Sequence, residues 1–331
     1  MLTKIAMRVM PRAAAVVAVP FLVTGFLTGA LAGSGQPSPG QIGLQEPVTQ
    51  VASDIVAFHN GVNYVITAIA VFVGLLMLFA MWKFSAKNNP TPSKNTHNTF
   101  LEVAWTVVPI LILLGIAIPS FKLLYLQYSY PKPDVTIKAY GNAWFWEHEY
   151  PDSGGFKVTS NMITDEDILT TEIGKAEFAK RYASLDGIAR IKKIQDDSAP
   201  LWAKTKQVRQ LSVDNEIAVP VNKVVHLLVT ANDVIHSWTI PSFGSKVQAV
   251  PGRITTTWFR PTKVGVFYGQ CSVLCGKAHS GMPIAVRVVP EAAYNEWLAA
   301  AKAKDWKKAK GILVAATEGP DAPKYAEAAS R

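Results

Sequence analysis

Two cysteines, one histidine and one methionine lie within a short stretch near the C-terminal end of the sequence. They are Cys271, Cys275, His279 and Met282. Soft sulfur ligands with an imidazole suit copper, and a Cys/His/Met set is typical of copper electron-transfer sites. A mononuclear site of that kind needs one thiolate, so a second cysteine four residues later allows two thiolates to bridge two copper ions. The stretch therefore predicts a dinuclear copper site.

A dinuclear site needs an imidazole for each metal ion, and the second must come from elsewhere in the chain. His236 is the best candidate, because it follows a predicted strand at 223–230 and precedes a turn at Pro241. Copper would deprotonate both thiols and prevent a loop disulfide, which is the main structural alternative. The remaining histidines have no partner pattern and are interpreted as structural or surface residues: His59, His97, His148 and His226.

The composition limits the classes of protein that fit. Of 331 residues, 49% are hydrophobic and only 17% charged, so the apolar residues should be concentrated in particular segments. The formal net charge is +9, but lysines and arginines are mostly mixed with acidic residues, which argues against a nucleic-acid partner. Two cysteines cannot form a disulfide framework for a chain of this length.

Residues 1–32 resemble a signal peptide. Lys4, Arg8 and Arg12 precede an apolar stretch that ends in small residues at 30–32. An uncleaved membrane anchor is the alternative, because the apolar run is long and contains Pro20.

Two further segments predict a membrane anchor at 55–126. The apolar stretches at about 62–82 and 103–121 are each long enough to cross roughly 30 Å of hydrocarbon. The loop between them carries three lysines and no acid, which places it in the cytoplasm by the positive-inside rule. The segment at 33–54 and everything after the second helix are therefore expected in the periplasm.

The rest of the chain predicts an all-β domain at 134–290 with a helical insertion at about 164–209. The insertion is rich in charged residues with helical apolar spacing, whereas short β-like runs with Pro- or Gly-containing turns surround it. Residues 291–331 predict a C-terminal helix and a tail. The strand candidates are 135–139, 223–230, 254–259, 264–268 and 284–289.

These features together resemble cytochrome c oxidase subunit II. The resemblance is carried by Cys-x3-Cys-x3-His-x2-Met, by His-Ser-Trp at 236–238, by the aromatic run at 144–150 and by the two apolar segments. It covers nearly all of 48–297 except the insertion. It implies a two-helix transmembrane hairpin in the bacterial inner membrane, followed by an all-β cupredoxin domain, a Greek-key sandwich or barrel, in the periplasm.

The resemblance also implies the ligand set of a dinuclear copper (CuA) centre. Cys271 and Cys275 would bridge both ions. His236 and Met282 would complete one ion, and His279 with the backbone carbonyl of Val273 would complete the other.

One departure from the family concerns magnesium. A glutamate usually lies at the position of Val273, where its carboxylate helps to bind magnesium at the boundary with subunit I. Valine keeps the carbonyl but has no carboxylate, so the magnesium site is doubtful.

The resemblance further implies partners and a pathway for electrons. The chain would accept electrons from cytochrome c and pass them to haem in subunit I, in a proton-translocating oxidase that also contains subunit III. Trp144 matches the residue where electrons enter, and Glu149, Asp214 and Asp233 match acids that attract cytochrome c. Glu102 matches a glutamate near the mouth of a proton channel, although an ordinary interfacial residue is an equal alternative.

Four other classes of protein share parts of this pattern. A quinol-oxidase subunit II lacks the copper ligands, and a Sco-type copper chaperone needs a thioredoxin-like pattern that the sequence does not show. Nitrous oxide reductase needs a large propeller for which the chain has no room. A nitric-oxide-reducing relative with CuA stays open, because its catalytic subunit is a separate chain.

Overall fold

The computed structural model describes residues 35–205 and 207–318. The expected signal peptide lies outside these residues, as does the last part of the expected tail, 319–331. The described chain begins with two long helices, α1 (Gln50–Lys83) and α2 (Thr99–Gln127). By length and composition both could cross a membrane, and their large apolar side chains are exposed.

Side-chain caps define where both helices begin. The hydroxyl of Thr49 accepts a hydrogen bond from the backbone N–H of Ala52, so α1 begins well before the expected apolar span. The side chain of Asn98 accepts bonds from two backbone N–H groups and begins α2 in the same way. As a result, α1 extends beyond the expected span of about 62–82 on the side of the β domain.

A β sandwich follows the helices. In the described part of the chain its strands are β1 (Val135–Asn142), β2 (Phe145–Tyr150), β3 (Phe156–Ser160), β4 (Ile217–Pro220), β5 (Val225–Ala231), β6 (His236–Ile240), β7 (Ser245–Ala249), β8 (Thr255–Phe259), β9 (Gly265–Gln270) and β10 (Pro283–Val289). The largest sheet has five strands in the order β3-β2-β1-β5-β8, and two smaller sheets have the orders β4-β10-β9 and β6-β7. Two neighbouring pairs are parallel, β1 with β5 and β4 with β10, and the others are antiparallel.

The core of the sandwich follows from the two-residue period of its strands. In β1 and β5 every second side chain is fully buried, among them Ile137, Leu227 and Val229. β10 is buried along its whole length, as expected for a strand covered on both faces. Trp146, Trp238 and Trp297 fill the centre of the core.

The segment before α1 is part of the same core. Val48 is 2% exposed and packs in the main hydrophobic cluster. Its N–H donates to the carbonyl of Ser242 (2.9 Å), and its carbonyl accepts from the N–H of Thr262 (2.9 Å). The Thr49 hydroxyl also donates to the carbonyl of Phe243 (2.9 Å). The domain therefore includes residues outside 134–290, and α1 is attached to it at its first turn.

The end of α2 is attached to the large sheet. The indole N–H of Trp258 donates to the carbonyl of Gln127 (3.1 Å), and the hydroxyl of Tyr130 donates to the carbonyl of Thr256 (3.2 Å). A ring nitrogen of His226 lies 2.6 Å from the carbonyl oxygen of Pro131. Both helices thus join the sandwich through several hydrogen bonds.

Three helices occupy the segment expected to be an insertion: α3 (Asp165–Ile173), α4 (Lys175–Tyr182) and α5 (Gly187–Trp202). They have a small hydrophobic core of their own. The Asp165 carboxylate accepts hydrogen bonds from Trp202 (2.7 Å) and Arg209 (2.7 and 2.9 Å), which joins the beginning of the insertion to its end.

The C-terminal region differs from the expectation of one helix and a tail. α6 (Glu291–Lys302) is followed by a second helix, α7 (Trp306–Glu318). Ala309 and Leu313 lie four residues apart on one face of α7 and are almost fully buried in the main core. The Ala/Lys-rich composition conceals this apolar face, because alanine and the lysine stems contribute little to a hydrophobic pattern.

We expect the substitution Val48→Ala to lower the free energy of unfolding by about 2 kcal/mol, because two buried methyl groups are lost. Denaturant unfolding of the full chain in detergent micelles measures this change. Ile42→Ala is the matched control, since Ile42 lies in the same segment but is 81% exposed. Equal stability of the two variants would show that the segment before α1 is not part of the core.

Candidate metal centre

The candidate ligands lie on one hairpin and on the beginning of a neighbouring strand. β9 and β10 pair antiparallel, with Gln270 opposite Pro283, so residues 271–282 form the loop between adjacent strands. The N–H of Cys271 donates to the carbonyl of Met282 (3.1 Å) and closes the base of this loop. β6 lies beside β9 and begins at His236. The fold thus brings His236 to the loop across more than thirty residues of sequence.

The donor atoms converge around the two sulfurs. The Sγ atoms of Cys271 and Cys275 are 3.8 Å apart. Nδ1 of His236 lies 3.9 Å from the Cys271 sulfur, and Nδ1 of His279 lies 3.4 Å from the Cys275 sulfur. Sδ of Met282 lies 3.6 Å from the Cys275 sulfur. Ligand atoms of His236 and both cysteines all lie within 4.8 Å of one another.

The carbonyl oxygen of Val273 also faces the centre. It lies 3.3 Å from the Cys271 sulfur, whose thiol donates to it. The Val273 side chain is half-buried and carries no group that could bind a hard cation. Its neighbour Leu274 is 81% exposed at the tip of the loop.

The two cysteines are free and buried. Their separation exceeds the S–S bond length of about 2.05 Å, yet both sulfurs could reach one metal ion at a metal–thiolate distance of about 2.3 Å. Burial, together with the neighbouring Cys271 sulfur, raises the pKa of the Cys275 thiol to about 12. Two adjacent thiolates here therefore need a cation to balance their charge, which fits a metal site.

Asp233 fixes the orientation of the His236 ring. Nε2 of His236 is 2.8 Å from Oδ1 of Asp233, so Nε2 carries the proton and Nδ1 is free to bind a metal ion. The same carboxylate accepts hydrogen bonds from the N–H groups of Val234 (2.6 Å) and Ala143 (2.6 Å). Burial would raise the pKa of Asp233, but these hydrogen bonds outweigh it and lower the pKa.

Two glycines make room for side chains at the centre. A Cβ on Gly141 would lie 2.7 Å from the His236 ring, so a larger residue in β1 would displace this imidazole. Gly276 has a positive φ of 121°, and a Cβ there would lie 3.0 Å from the indole of Trp144. Both positions favour glycine for a physical reason that spacing alone does not reveal.

Trp144 lies directly against the loop at 271–282. Its indole N–H donates to the carbonyl of Cys275 (3.1 Å), and the ring is half-buried. The ammonium group of Lys277 lies 5.5 Å from the ring centroid, within cation–π range. The structure therefore joins Trp144 to a candidate ligand through one hydrogen bond.

Buried aromatic residues line the inner side of the centre. The indole of Trp146 donates to the carbonyl of Met282 (3.4 Å), and its ring packs edge-on against His236. The indole of Trp238 donates to Nε2 of His148 (3.2 Å), so Nδ1 of His148 carries the proton. In the described chain this Nδ1 has no hydrogen-bond partner, and burial lowers the pKa of His148 to about 3.

The other expected functional acids lie apart from the sulfurs. Glu149 lies near the end of β2, whereas Trp144 lies in the turn before that strand begins, and Glu149 accepts a hydrogen bond from the hydroxyl of Tyr140 (2.6 Å). Asp214 accepts bonds from the backbone and side chain of Asn161. Glu102 lies in the first turn of α2, at the end of that helix remote from the β domain.

Sequence reasoning named the candidate ligands but missed the residues that hold them. The resemblance predicts Asp233 as a docking acid, and the structure shows in addition that it is hydrogen-bonded to His236. The Asp-x-x-His spacing could have indicated this pair, because metal-ligating histidines commonly donate their other N–H to a carboxylate. No comparable signal marks Gly141, whose contact with His236 joins distant parts of the chain.

His148 gives a pH dependence that can be measured. Its pKa is about 3 in the folded chain and near 6.5 when exposed, so its stabilising contribution is complete above pH 6.5 and is lost as the pH falls toward 3. We expect the variant His148→Gln to lose less stability than the wild type between pH 6.5 and pH 4 in denaturant unfolding. His97→Gln, at an exposed position, should behave as the wild type. Identical pH slopes for all three proteins would contradict this account.

Comparisons with known proteins show the family to which this chain is similar. Residues 196–289 match the family "Cytochrome C oxidase subunit II, periplasmic domain", and residues 37–123 match "Cytochrome C oxidase subunit II, transmembrane domain". The probable cytochrome c oxidase subunit 2 of Rickettsia bellii (strain RML369-C) is 40% identical over 266 residues, which cover 80% of this chain and 86% of the relative. Cytochrome c oxidase subunit 2 of Cereibacter sphaeroides is 40% identical over 272 residues, which cover 81% of this chain and 82% of the relative.

A solved structure is also similar. The periplasmic domain of subunit II of cytochrome oxidase (CoxB) of Bradyrhizobium japonicum is 42% identical, with a TM-score of 0.40, and the match covers 53% of this chain and 97% of that one. The expected fold class is confirmed: two apolar helices precede a β-rich domain of cupredoxin type. Sequence, fold and relatives therefore agree that the chain belongs to the cytochrome c oxidase subunit II family.

Proposed function

We propose that this chain receives electrons one at a time from cytochrome c at a dinuclear copper (CuA) centre. It passes them to haem in subunit I, where oxygen is reduced and protons are translocated. One observation carries the proposal: two buried, unbonded thiols lie 3.8 Å apart, with an imidazole nitrogen beside each of them.

The donor set fits a pair of copper ions. Cys271 and Cys275 would bridge them, His236 and Met282 would complete one, and His279 with the Val273 carbonyl would complete the other. When bound, the copper pair supplies a centre that takes up and releases a single electron. Soft sulfur and imidazole ligands in one buried cluster are what copper prefers.

The protein's own residues keep this donor set in place. The closed base of the hairpin fixes the two ends of the loop, while Asp233 and Gly141 fix the ring of His236. Burial of both cysteines excludes water from the sulfurs. A rigid set of ligands needs little movement when charge changes, which favours rapid electron transfer.

Trp144 is the residue where electrons would enter. Its hydrogen bond to the Cys275 carbonyl gives a direct contact between a half-buried aromatic ring and the candidate centre. Glu149 and Asp214 would attract the lysine-rich face of cytochrome c, with an attraction that salt weakens. Asp233 would act mainly by positioning His236, because its two oxygens already accept three hydrogen bonds.

The remaining assignments concern the membrane and the other subunits. The chain would be a multi-pass protein of the bacterial inner membrane, with a periplasmic C-terminal domain, assembled with subunits I and III. Glu102, at the opposite end of α2, would lie near the mouth of a proton channel. No magnesium is assigned, because Val273 provides no carboxylate.

The cysteines provide the first test. We expect Cys271→Ser and Cys275→Ser each to reduce bound copper from two ions per full chain to one or none, because a serine hydroxyl is a poor copper ligand. Elemental analysis after copper loading and gel filtration measures the ratio. Ser280→Ala, an exposed position in the same loop, is the control and should keep both ions. Full copper content in either cysteine variant would exclude bridging thiolates.

The role of Asp233 can be separated from docking. We expect Asp233→Ala to weaken copper binding by about 10- to 100-fold, because the ring of His236 loses the partner that orients it. A competition titration with a copper chelator measures this affinity. Asp214→Ala should leave copper affinity unchanged and alter only the salt dependence of cytochrome c oxidation by the assembled oxidase. If Asp233→Ala changed only that salt dependence, its role would be docking.

A further inference from the structure

A long groove runs between α1 and α2 in the half of the helices nearest the β domain. Its volume is about 1100 Å³, and we call it the interhelical groove. Its lining residues recur every three or four positions. On α1 they extend from Gln50 to Val65, and on the other side they extend from Ile112 within α2 to Ser129, just after that helix ends. The groove is separate from the candidate metal centre and has no part in the function proposed above.

The polarity of the groove changes along its length. Near the β domain its lining includes Gln50, Asp54 and Lys122. Toward the middle of the helices the lining is apolar and contains small residues, among them Gly61 and Gly115. A Cβ at either glycine would have no atom within 4 Å, so the space between the helices is open there.

This change coincides with the expected surface of the membrane. No charged residue lies between Asp54 and Lys83 on α1, and none lies between Glu102 and Lys122 on α2. Asp54 and Lys122 thus mark the same boundary on both helices. The polar end of the groove lies at headgroup depth, and the apolar end lies in the hydrocarbon of the periplasmic leaflet.

The length of the groove matches one lipid. It extends along the sixteen residues from Gln50 to Val65, about 22 Å. One leaflet with its headgroup region is about half of 40–45 Å thick, so an extended glycerophospholipid has the length of this groove.

The charges at the polar end suit a lipid headgroup. Within residues 35–205 and 207–318, Lys122 has no carboxylate at ion-pair distance, and its side chain is exposed. Asp54 accepts a hydrogen bond from Gln50 (2.9 Å) beside the same opening. An ammonium and a carboxylate together complement a zwitterionic headgroup.

We propose that the interhelical groove binds one zwitterionic glycerophospholipid of the periplasmic leaflet. The phosphate lies beside Lys122, the headgroup amine beside Asp54, and an acyl chain extends between Gly61 and Gly115. The bound lipid fills a space that the two helices leave open, and it thereby joins them just below the β domain.

Native mass spectrometry of the purified oxidase, released from phosphatidylethanolamine nanodiscs, tests this proposal by counting retained phospholipid. Gly115→Leu should lower retention roughly tenfold, because displacing even two methylene groups from the groove removes that much binding. Gly74→Leu is the matched control: Gly74 lies on α1 outside the groove, also with open space around it, and retention should be unchanged. Equal retention in both variants would overturn the proposal.

Two further measurements apply if Gly115→Leu fails to assemble. Lys122→Gln leaves the apolar lining intact and should lower retention by weakening the phosphate contact, so unchanged retention counts against the lipid. A photo-crosslinking amino acid in place of Ile116, which lines the groove, should label phospholipid in the wild-type background. Labelling of another subunit's polypeptide would show that protein fills the groove, and the lipid site would be excluded.

Discussion

The arrangement of two buried sulfur atoms is the constraint on which the rest of the site depends. Two thiols 3.8 Å apart, out of contact with water, cannot both ionise unless a cation lies between them. The raised pKa of the Cys275 thiol reflects the free-energy cost of ionising it in this buried position beside Cys271. The fold places the thiols, two imidazoles and a thioether at van der Waals distance from one another. Such a donor set fits a metal ion.

The topology of the sheets brings these donor atoms together. The loop joins two adjacent antiparallel strands, so its ends are fixed by the sheet, and the closing hydrogen bond from Cys271 to Met282 adds to it. His236 comes from a third strand beside them, and Asp233 ties its ring to the segment that carries Trp144. Ligand, orienting carboxylate and aromatic residue therefore form one connected unit.

The sequence predicted the elements whose signals are local. The Cys/His/Met spacing predicts the loop at 271–282, the uncharged apolar stretches predict α1 and α2, and short β-like runs predict β1, β5, β8, β9 and β10. The runs did not indicate the other strands of the described chain. The position of His236 after a predicted strand made it the candidate for the second imidazole, and the resemblance to the subunit II family, confirmed by relatives at about 40% identity, added the order of the segments. Each of these features can be read within a few dozen residues or from a family pattern.

Other features depend on contacts between distant parts of the chain and leave no local signal. Val48 looks like part of a linker, but it fills a core built mainly from strands that begin more than eighty residues later. α7 shows its apolar face only when Ala309 and Leu313 meet the sandwich. Gly141 reads as an ordinary strand residue until His236 lies against it. In each case tertiary packing, and not propensity, decides the role.

Electron paramagnetic resonance of the copper-loaded full chain tests the central claim most directly. The full chain is required because Val48 belongs to the domain core. Bridging thiolates predict a single unpaired electron shared equally by two copper nuclei, and hence hyperfine splitting from both. A spectrum from one isolated copper ion, or a chain whose two cysteines join in a disulfide when copper is in excess, would contradict the account.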